Sequence, residues 1–282
     1  MQILRQATAF IAKQGGLVFI AALLAVAGVL SASTPVSASW NTTNQHQLVP
    51  AYFYPDWWNT DNKWYAMCDA MNATQNGSTA IMNPNSGPGS AVNSDYVNVI
   101  QYCEEAGQNV IGYVHTSYGQ RDIEVVKDEI DAYYAWYMGD NWGIDGIFLD
   151  EMSNDSSTLA YYEELYDYIH TVGGSLADDV VGNPGVAALT DWQLDTPVVD
   201  ELVVFEGTAS TYLSWSPPNW ISNYPASDFA HMIYNAADLS VMEDVCDASK
   251  NNNAGWLFIT DDVLSNPWDT LPPYWADETP TC

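Results

Sequence analysis

Eight short apolar runs alternate with helical patterns along the chain, and this rhythm constrains the fold more than any other feature of the sequence. The runs, each a candidate strand, are Val49–Tyr54, Thr79–Asn83, Val110–His115, Gly146–Asp150, Val180–Asn183, Leu202–Glu206, Phe229–Tyr234 and Gly255–Thr260. Strands that alternate with helices pair in parallel. Eight such units predict an α/β fold closed into a single (β/α)8 barrel. An open doubly wound sheet is the alternative, and the lack of a G-x-G-x-x-G or P-loop motif weakens it.

The helical segments show an apolar residue at every third or fourth position. Asp122–Met138 is the clearest of them, and Asp122 stands where an N-cap is expected. Its apolar face comprises Ile123, Val126, Ile130, Tyr134 and Tyr137. The other segments are Asn62–Met71, Asp95–Ala106, Ser157–Thr171 and Leu239–Lys250, whereas Val186–Thr196 is short and irregular.

The first 38 residues have the composition of a secretory signal peptide. Arg5 and Lys13 precede the apolar run Gly16–Val29, and small residues then lead to Val36-Ser37-Ala38. A membrane anchor is the alternative, but the run is short for a spanning helix. We predict a signal peptide over residues 1–38, a polar lead-in over 39–47 and one barrel domain over 48–282, so that the mature protein is secreted.

The charge balance limits the partners of the mature chain. Six basic and 36 acidic residues give a net charge of −30, and removal of Arg5 and Lys13 makes it −32. Nucleic acids and anionic membranes require clustered lysine and arginine, which this chain lacks, so both are excluded as partners. A neutral or cationic ligand suits the field, although solubility in salt or acid also accounts for the acidity. We expect a monomer.

The four cysteines predict two disulfides, because an even number in an exported chain is typical of disulfide pairing. Three connectivities are possible. We favour Cys68–Cys103 and Cys246–Cys282, because each pair would join neighbouring helices or termini. The sequence has no C-x-x-C spacing and its four histidines are scattered, so we predict neither a metal site nor a cofactor.

Polar residues stand where the predicted strands end. The last residues of the runs are Tyr54, Asn83, His115, Asp150, Asn183, Glu206, Tyr234 and Thr260. In a (β/α)8 barrel, the C-terminal ends of the strands form the active face. A buried strand gains no stability from such an ending, since burying polar groups costs free energy unless they are paired. The set therefore predicts a functional site, with helix capping as the alternative for any single member.

Asp150, Glu151 and Glu206 are the candidate catalytic acids. Two carboxyl groups, one protonated and one ionised, are the usual machinery of glycoside hydrolysis. Asp150 and Glu151 cannot point the same way along one strand, so Glu206 on another strand is the candidate partner. We assign Asp150 as nucleophile or ionised stabiliser and Glu206 as general acid/base, with Glu151 tuning one of them by like charge.

Six further residues are candidates for binding the substrate. They are Tyr54, Asn83, Ser86, Tyr113, His115 and Asn183. Asn83 and Ser86 belong to "NPNSGPG", a loop that two prolines stiffen. Aromatic rings stack on pyranoses, and several lie near predicted strand ends: Trp57, Trp58, Tyr118, Trp215, Trp220 and Trp275. Most of these are expected to pack in the core instead.

Six stretches between Leu48 and Thr260 resemble the spherulin-4 family, which forms glycoside hydrolase family 135. They are "AIMNPNSGPG", "VIGYVHTSYGQR", "IDAYYAWY", "GIDGIFLDEMSND", "VVGNPG" and "VVFEG", in the order found in the family. The resemblance implies a (β/α)8 barrel with endo action on an α-1,4-linked N-acetylgalactosamine or galactosamine polymer. It places the suspected catalytic acids at Asp150, Glu151 and Glu206, with the "NPNSGPG" loop and the "GYVHT" strand end lining the groove.

The scarcity of lysine and arginine is the departure from the family, and it points to a saline or acidic habitat. A partly deacetylated galactosamine polymer is cationic and fits the charge of this chain. A non-catalytic carbohydrate-binding or cell-coat protein is the alternative function, and a hydrolase of another amino-sugar polymer is a second one.

Overall fold

The computed structural model describes residues 45–59, 61–73, 77–140 and 142–282. The predicted signal peptide and residues 39–44 of the lead-in lie outside these ranges. Within them, parallel strands close into a barrel in which each strand pairs with the next and the last pairs with the first. The strands are β1 His46–Ala51, β2 Thr79–Met82, β3 Asn109–His115, β4 Gly146–Asp150, β5 Asp179–Gly182, β6 Glu201–Thr208, β7 Phe229–Tyr234 and β8 Trp256–Ile259. The predicted (β/α)8 barrel is confirmed.

Helices follow the strands in the order that the sequence pattern predicts. They are α1 Lys63–Ala73, α2 Ser94–Glu105, α3 Ile123–Trp136, α4 Leu159–Gly173, α5 Trp192–Asp195, α6 Ala209–Tyr212, α7 Leu239–Asn251 and α8 Trp275–Thr281. Asp122 caps α3 as predicted, because its side chain accepts a hydrogen bond from the Glu124 amide. The helices after β5 and β6 are single turns, which agrees with the irregular pattern of Val186–Thr196.

Two strand ends differ from the prediction by more than one residue. The amide of Tyr52 donates to the carbonyls of Pro50 and Trp268, so β1 leaves the sheet after Ala51 rather than at Tyr54. Glu206 lies two residues inside β6, opposite Met232 of β7, and not at the strand end. The pairing of β6 with β7 shifts register between Val203 and Phe205, as it does at a β-bulge. The pattern of apolar residues does not show this shift, so it does not predict that β6 continues to Thr208.

Two glycines allow the barrel to pack closely around β3 and β4. A Cβ atom at Gly112 would lie 2.7 Å from the ring of Tyr133, which is fully buried on α3. At Gly146 a Cβ atom would lie 2.0 Å from the carbonyl oxygen of Asp179 in the neighbouring strand β5. Neither position therefore has room for a side chain. Gly146 is the first residue of β4, the strand that ends in Asp150, and it lets β4 begin in close contact with β5.

Both favoured disulfides are present. Cys68–Cys103 joins α1 to α2 with a Cα–Cα distance of 5.3 Å. Cys246–Cys282 joins α7 to the residue after α8 with a Cα–Cα distance of 5.5 Å. All four half-cystines are fully buried, so each bridge also belongs to the packing between the helices and the barrel.

Replacing Cys68 and Cys103 together by alanine should lower the free energy of unfolding by about 2–4 kcal/mol. The bridge closes a segment with a sequence separation of 35 residues, and its loss lets the unfolded chain explore more conformations. Urea unfolding of the double variant and the wild type measures the change. Equal stability of the two proteins would show that this bridge does not constrain the unfolded chain.

Acidic side chains crowd the N-terminal end of the barrel. Asp145, Asp178, Asp179, Asp200 and Glu201 line an open cavity of about 460 Å³ together with His170. Burial raises the pKa of Asp145 to about 7, despite a hydrogen bond from the Val110 amide. Burial also raises the pKa of Glu201, and the charges of Asp179, Asp200 and Asp228 raise it further. Folding therefore favours the protonated forms of these groups.

The free energy of unfolding should consequently fall as the pH rises. The folded-state pKa values of Asp145 and Glu201 exceed the ordinary values of 3.8 and 4.5. When the pH lies between the ordinary pKa and the folded-state pKa of either group, the folded chain therefore binds more protons than the unfolded chain. This contribution is complete below about pH 4 and is lost as the pH rises through about 7 and beyond.

Urea unfolding at several pH values measures this slope. Glu201→Gln should flatten it, because glutamine is neutral at every pH, whereas Glu105→Gln on an exposed position should leave it unchanged. A Glu201→Gln variant with the full wild-type slope would contradict the assignment.

Candidate active site

One amide group joins two carboxylates at the C-terminal end of the barrel. The Nδ2 atom of Asn183 donates to Asp150 Oδ1 and to Glu206 Oε2, and both distances are 2.9 Å. Its Oδ1 atom accepts from the Gly185 amide at 2.8 Å, which turns the amide nitrogen toward the carboxylates. The two carboxylate oxygens can therefore be no farther apart than twice 2.9 Å, about 5.8 Å.

The backbone around Asn183 fixes this bridge in place. The Asn183 amide donates to the Leu149 carbonyl, and the Asn183 carbonyl accepts from the Met152 amide, both at 2.9 Å. The turn Asn183-Pro184-Gly185 then lets the Gly185 carbonyl accept from the Glu206 amide at 2.8 Å. Gly185 has a φ of +70°, a left-handed conformation that favours glycine, so the sequence Asn-Pro-Gly suits this turn.

Asp150 is held on both carboxylate oxygens. Tyr113, on β3, donates its hydroxyl to Asp150 Oδ2 at 2.6 Å, while Asn183 occupies Oδ1. Burial raises the pKa of Asp150, and the hydrogen bonds from Tyr113, the Glu151 amide and Asn183 act against that rise. These donors favour the ionised carboxylate.

Glu206 is the second buried carboxyl group. Burial raises its pKa most, the hydrogen bonds from Asn183 and the Trp268 side chain lower it, and the charge of Asp150 raises it. Glu206 thus has fewer donors than Asp150 and faces a negative neighbour. Burial thus raises the pKa of both carboxyl groups, and fewer hydrogen bonds oppose the rise at Glu206 than at Asp150.

Glu151 follows the end of β4 and its side chain lies beside His115. Its backbone has a φ of +49°, and its carbonyl accepts from the Tyr118 amide at 2.7 Å. The Glu151 carboxylate lies 3.5 Å from His115 Nδ1, and its side chain is 42% exposed. Asn183 thus joins Asp150 to Glu206, whereas the Glu151 carboxylate contacts His115.

Arg121 links the strand end at His115 to the loop after β2. It donates to the His115 carbonyl at 2.9 Å and forms a two-point ion pair with Glu129 of α3. The Glu129 carboxylate in turn lies against Gly87, where a Cβ atom would be 3.3 Å from its Oε2. The one arginine beyond residue 38 thus supports the "NPNSGPG" loop and the strand end that carries His115.

The remaining predicted residues lie in the loops after β1 and β2. Asn83 accepts from the Gly87 amide at 3.1 Å through its side chain, and Ser86 is exposed with a φ of +52°. The hydroxyl of Tyr54 donates to Asp95 at 2.5 Å. Hydrogen bonds therefore connect Asp150, Glu206, Asn183 and Tyr113 directly. Asn83, Ser86 and Tyr54 lie in the surrounding loops.

Sequence reasoning missed Tyr52 and Trp268. The ring of Tyr52 contacts that of Tyr113 edge-on, with centroids 5.6 Å apart. Burial raises the pKa of Tyr52, and the charges of Asp150, Tyr113 and Glu206 raise it further. A correct end for β1 would have pointed to Tyr52. Trp268 lies in the long segment after β8, where no strand-end signal marks it.

A membrane-spanning helix or a metal cluster would change the interpretation of this site. Among the residues that the structure describes, no helix is long and apolar enough to cross a membrane. Within the same residues, no group of three or more histidine, cysteine, aspartate and glutamate side chains is arranged to hold a metal ion.

The family follows from a match that extends over nearly the whole barrel. The model of the spherulation-specific family 4 matches residues 47–281. The chain belongs to this family. The assignment to the spherulin-4 family from six sequence stretches is thereby confirmed.

A relative and a solved structure extend the comparison. Spherulin-4 of Physarum polycephalum is 35% identical over 175 residues, which are 60% of this chain and 48% of that protein, so the match spans about half of the relative's length. The crystal structure of Aspergillus clavatus Sph3 in complex with GalNAc has a similar fold. Its TM-score is 0.70 at 24% identity, and the alignment covers 84% of this chain and 96% of that one.

Proposed function

We propose that this protein is a secreted glycoside hydrolase that cleaves an amino-sugar polysaccharide. The observation that carries the proposal is the Asn183 bridge, which holds carboxylate oxygens of Asp150 and Glu206 within about 5.8 Å of each other. Retaining glycosidases place their two carboxyl groups about 5–5.5 Å apart, whereas inverting enzymes need about 6.5–9.5 Å. The arrangement therefore favours hydrolysis with retention of the anomeric configuration.

The surroundings of the two acids support a separate role for each. Protonated Glu206 donates its proton to the glycosidic oxygen while ionised Asp150 attacks the anomeric carbon, so the C–O bond breaks as a glycosyl ester forms. Glu206, now ionised, then takes a proton from water, whose oxygen attacks the same carbon and releases Asp150. The Tyr113 hydroxyl holds Asp150 in position for attack.

The proposed substrate is an α-1,4-linked polymer of N-acetylgalactosamine and galactosamine, cut within the chain. The similar fold of Sph3, a protein solved in complex with GalNAc, and membership of the same family as spherulin-4 support this choice. The net charge of −30 favours a cationic, partly deacetylated polymer. We place Asn83, Ser86, His115, Glu151 and Tyr54 along the groove.

The same proposal gives the setting of the enzyme. Two disulfides agree with an oxidising, extracellular environment. We propose that the protein acts as a monomer without metal or cofactor, and that neither nucleic acid nor membrane is a partner of the mature chain.

Release of reducing ends from acetylated and partly deacetylated galactosamine polymer tests the activity. The mature wild-type protein should release them, and Glu206→Gln should not. Proton NMR of the first products should show the α-anomer, since two displacements restore the configuration. Equal release by both proteins would show that Glu206 takes no part in the reaction. A β-anomer as the first product would show that the reaction inverts the anomeric configuration.

A non-catalytic carbohydrate-binding or coat protein is the second candidate. The 35% identity to spherulin-4 over 175 residues fits this alternative. A binder of this kind would retain affinity for the polymer and release no reducing ends from any polymer, before or after substitution of Glu206.

A further inference from the structure

Three aromatic side chains on the loop after β1 form an exposed cluster. Tyr54 is 53% exposed, Trp57 39% and Trp58 62%. Trp58 lies against both of the others, with ring centroids 6.0 Å from Trp57 and 6.5 Å from Tyr54. Single exposed apolar residues are ordinary, but adjacent exposed aromatic rings mark interaction surfaces. We call these three residues the aromatic platform.

The polar atoms of the platform are bound within the protein. The hydroxyl of Tyr54 and the indole N–H of Trp57 donate to different oxygens of Asp95, at 2.5 and 2.8 Å. Asn93 caps α2 and donates to the Tyr54 hydroxyl at 3.2 Å. These bonds hold Tyr54 and Trp57 in place while both side chains stay exposed. A surface that is ordered before binding loses less conformational entropy when a ligand arrives.

The platform lies at the same end of the barrel as the two acids. It follows the C-terminal end of β1, and in a barrel of parallel strands this is the end at which β4 finishes in Asp150. The Tyr54 ring also contacts Tyr96, with centroids 6.1 Å apart, and the Tyr96 hydroxyl donates to the Asn83 carbonyl at 3.5 Å. The platform thus contacts α2 through Tyr96, which is bonded in turn to the loop after β2.

We propose that the aromatic platform is a distal subsite that binds a hexosamine unit of the same polymer chain that is cut at Asp150 and Glu206. This inference rests on the proposed function. The apolar face of a pyranose packs on an aromatic ring, and the ammonium group of a deacetylated unit is attracted to the same face. The acidic chain strengthens the second attraction. The subsite makes affinity depend on polymer length and on deacetylation.

Binding to an inactive enzyme tests the subsite without turnover. In mature Glu206→Gln protein, a further Trp58→Ala substitution should weaken the affinity for partly deacetylated galactosamine polymer about tenfold by calorimetry, the scale of one aromatic contact. Leu176→Ala is the matched control, because Leu176 is 87% exposed but precedes β5 at the opposite end of the barrel. It should leave the affinity unchanged.

Chain-length dependence gives a second readout in the active enzyme. The ratio of kcat/KM on polymer to kcat/KM on a trisaccharide should fall about tenfold in Trp58→Ala and be largely retained in Trp58→Phe. Unaltered affinity and ratio in Trp58→Ala, with wild-type cleavage intact, would overturn the subsite alone. If the wild type neither binds nor cuts the polymer, both proposals fail. A dimer that Trp58→Ala dissociates, with unaltered affinity for polymer, would assign the platform to a second copy and overturn the subsite.

Discussion

Asp150→Asn and Glu206→Gln should each lower kcat/KM on the galactosamine polymer by roughly 10²–10⁴-fold or more, while the protein still folds. Each substitution removes the group that attacks the sugar or transfers the proton. Each also preserves an oxygen that can accept the Asn183 hydrogen bond, so the bridge between β4, β5 and β6 persists. Initial rates of reducing-end release, measured beside thermal unfolding, separate lost chemistry from lost structure.

Two further variants sharpen this experiment. Glu151→Gln should cost only about tenfold, since Glu151 faces His115 and its charge is the smallest of the named influences on the pKa of Asp150. Asp128→Asn, on the exposed side of α3, should keep the wild-type rate. A loss in Glu151→Gln as large as that in Asp150→Asn would show that the catalytic pair has been assigned wrongly.

Gly146→Ala should destabilise the protein by about 3 kcal/mol or more, or prevent folding altogether. The added Cβ atom would lie 2.0 Å from the Asp179 carbonyl oxygen and 2.7 Å from the Asp179 Cβ atom. Neither can move away easily, because β4 and β5 are paired at this position within a closed barrel. Urea unfolding followed by far-ultraviolet circular dichroism measures the loss.

Gly77→Ala is the matched control for this substitution. Gly77 lies before β2, and a Cβ atom there would meet nothing within 4 Å. Its stability should change by less than about 1 kcal/mol, with a small gain if alanine restricts the unfolded chain. If Gly146→Ala is as stable as Gly77→Ala, the prediction is wrong, and β4 and β5 can move apart enough to admit a Cβ atom at little cost.

The strand order and most helix bounds were predictable because burial imposes them locally. Strands buried on both faces are apolar throughout, as Gly146–Leu149 and Val110–Val114 are, and they stand out against amphipathic helices such as α3. The end of β1 was not predictable in this way. Tyr52, Phe53 and Tyr54 continue the apolar run, but the chain turns at Tyr52 because of a hydrogen bond to Trp268, which is more than 200 residues away.

The candidate site was predictable only as a set of residue types at strand ends. Nothing in the sequence shows that one amide of Asn183 reaches both Asp150 and Glu206, because that contact requires three strands at fixed register. Trp268 was missed for the same reason. A residue far from any strand end comes to Glu206 only through the path of the long segment after β8.

The Asn183 bridge also bears on how thermal motion affects the reaction geometry. The backbone of Asn183 is bonded to Leu149 of β4 and to Met152 just after it, and the turn that it begins is bonded to β6 at Glu206. If β5 moves relative to the other strands, we expect both carboxylates to move with it, because each is hydrogen-bonded to Asn183. Both carboxylates are bonded to the same nitrogen, Asn183 Nδ2. We therefore expect the distance between the two carboxylates to vary less than the distance from either one to the other strands.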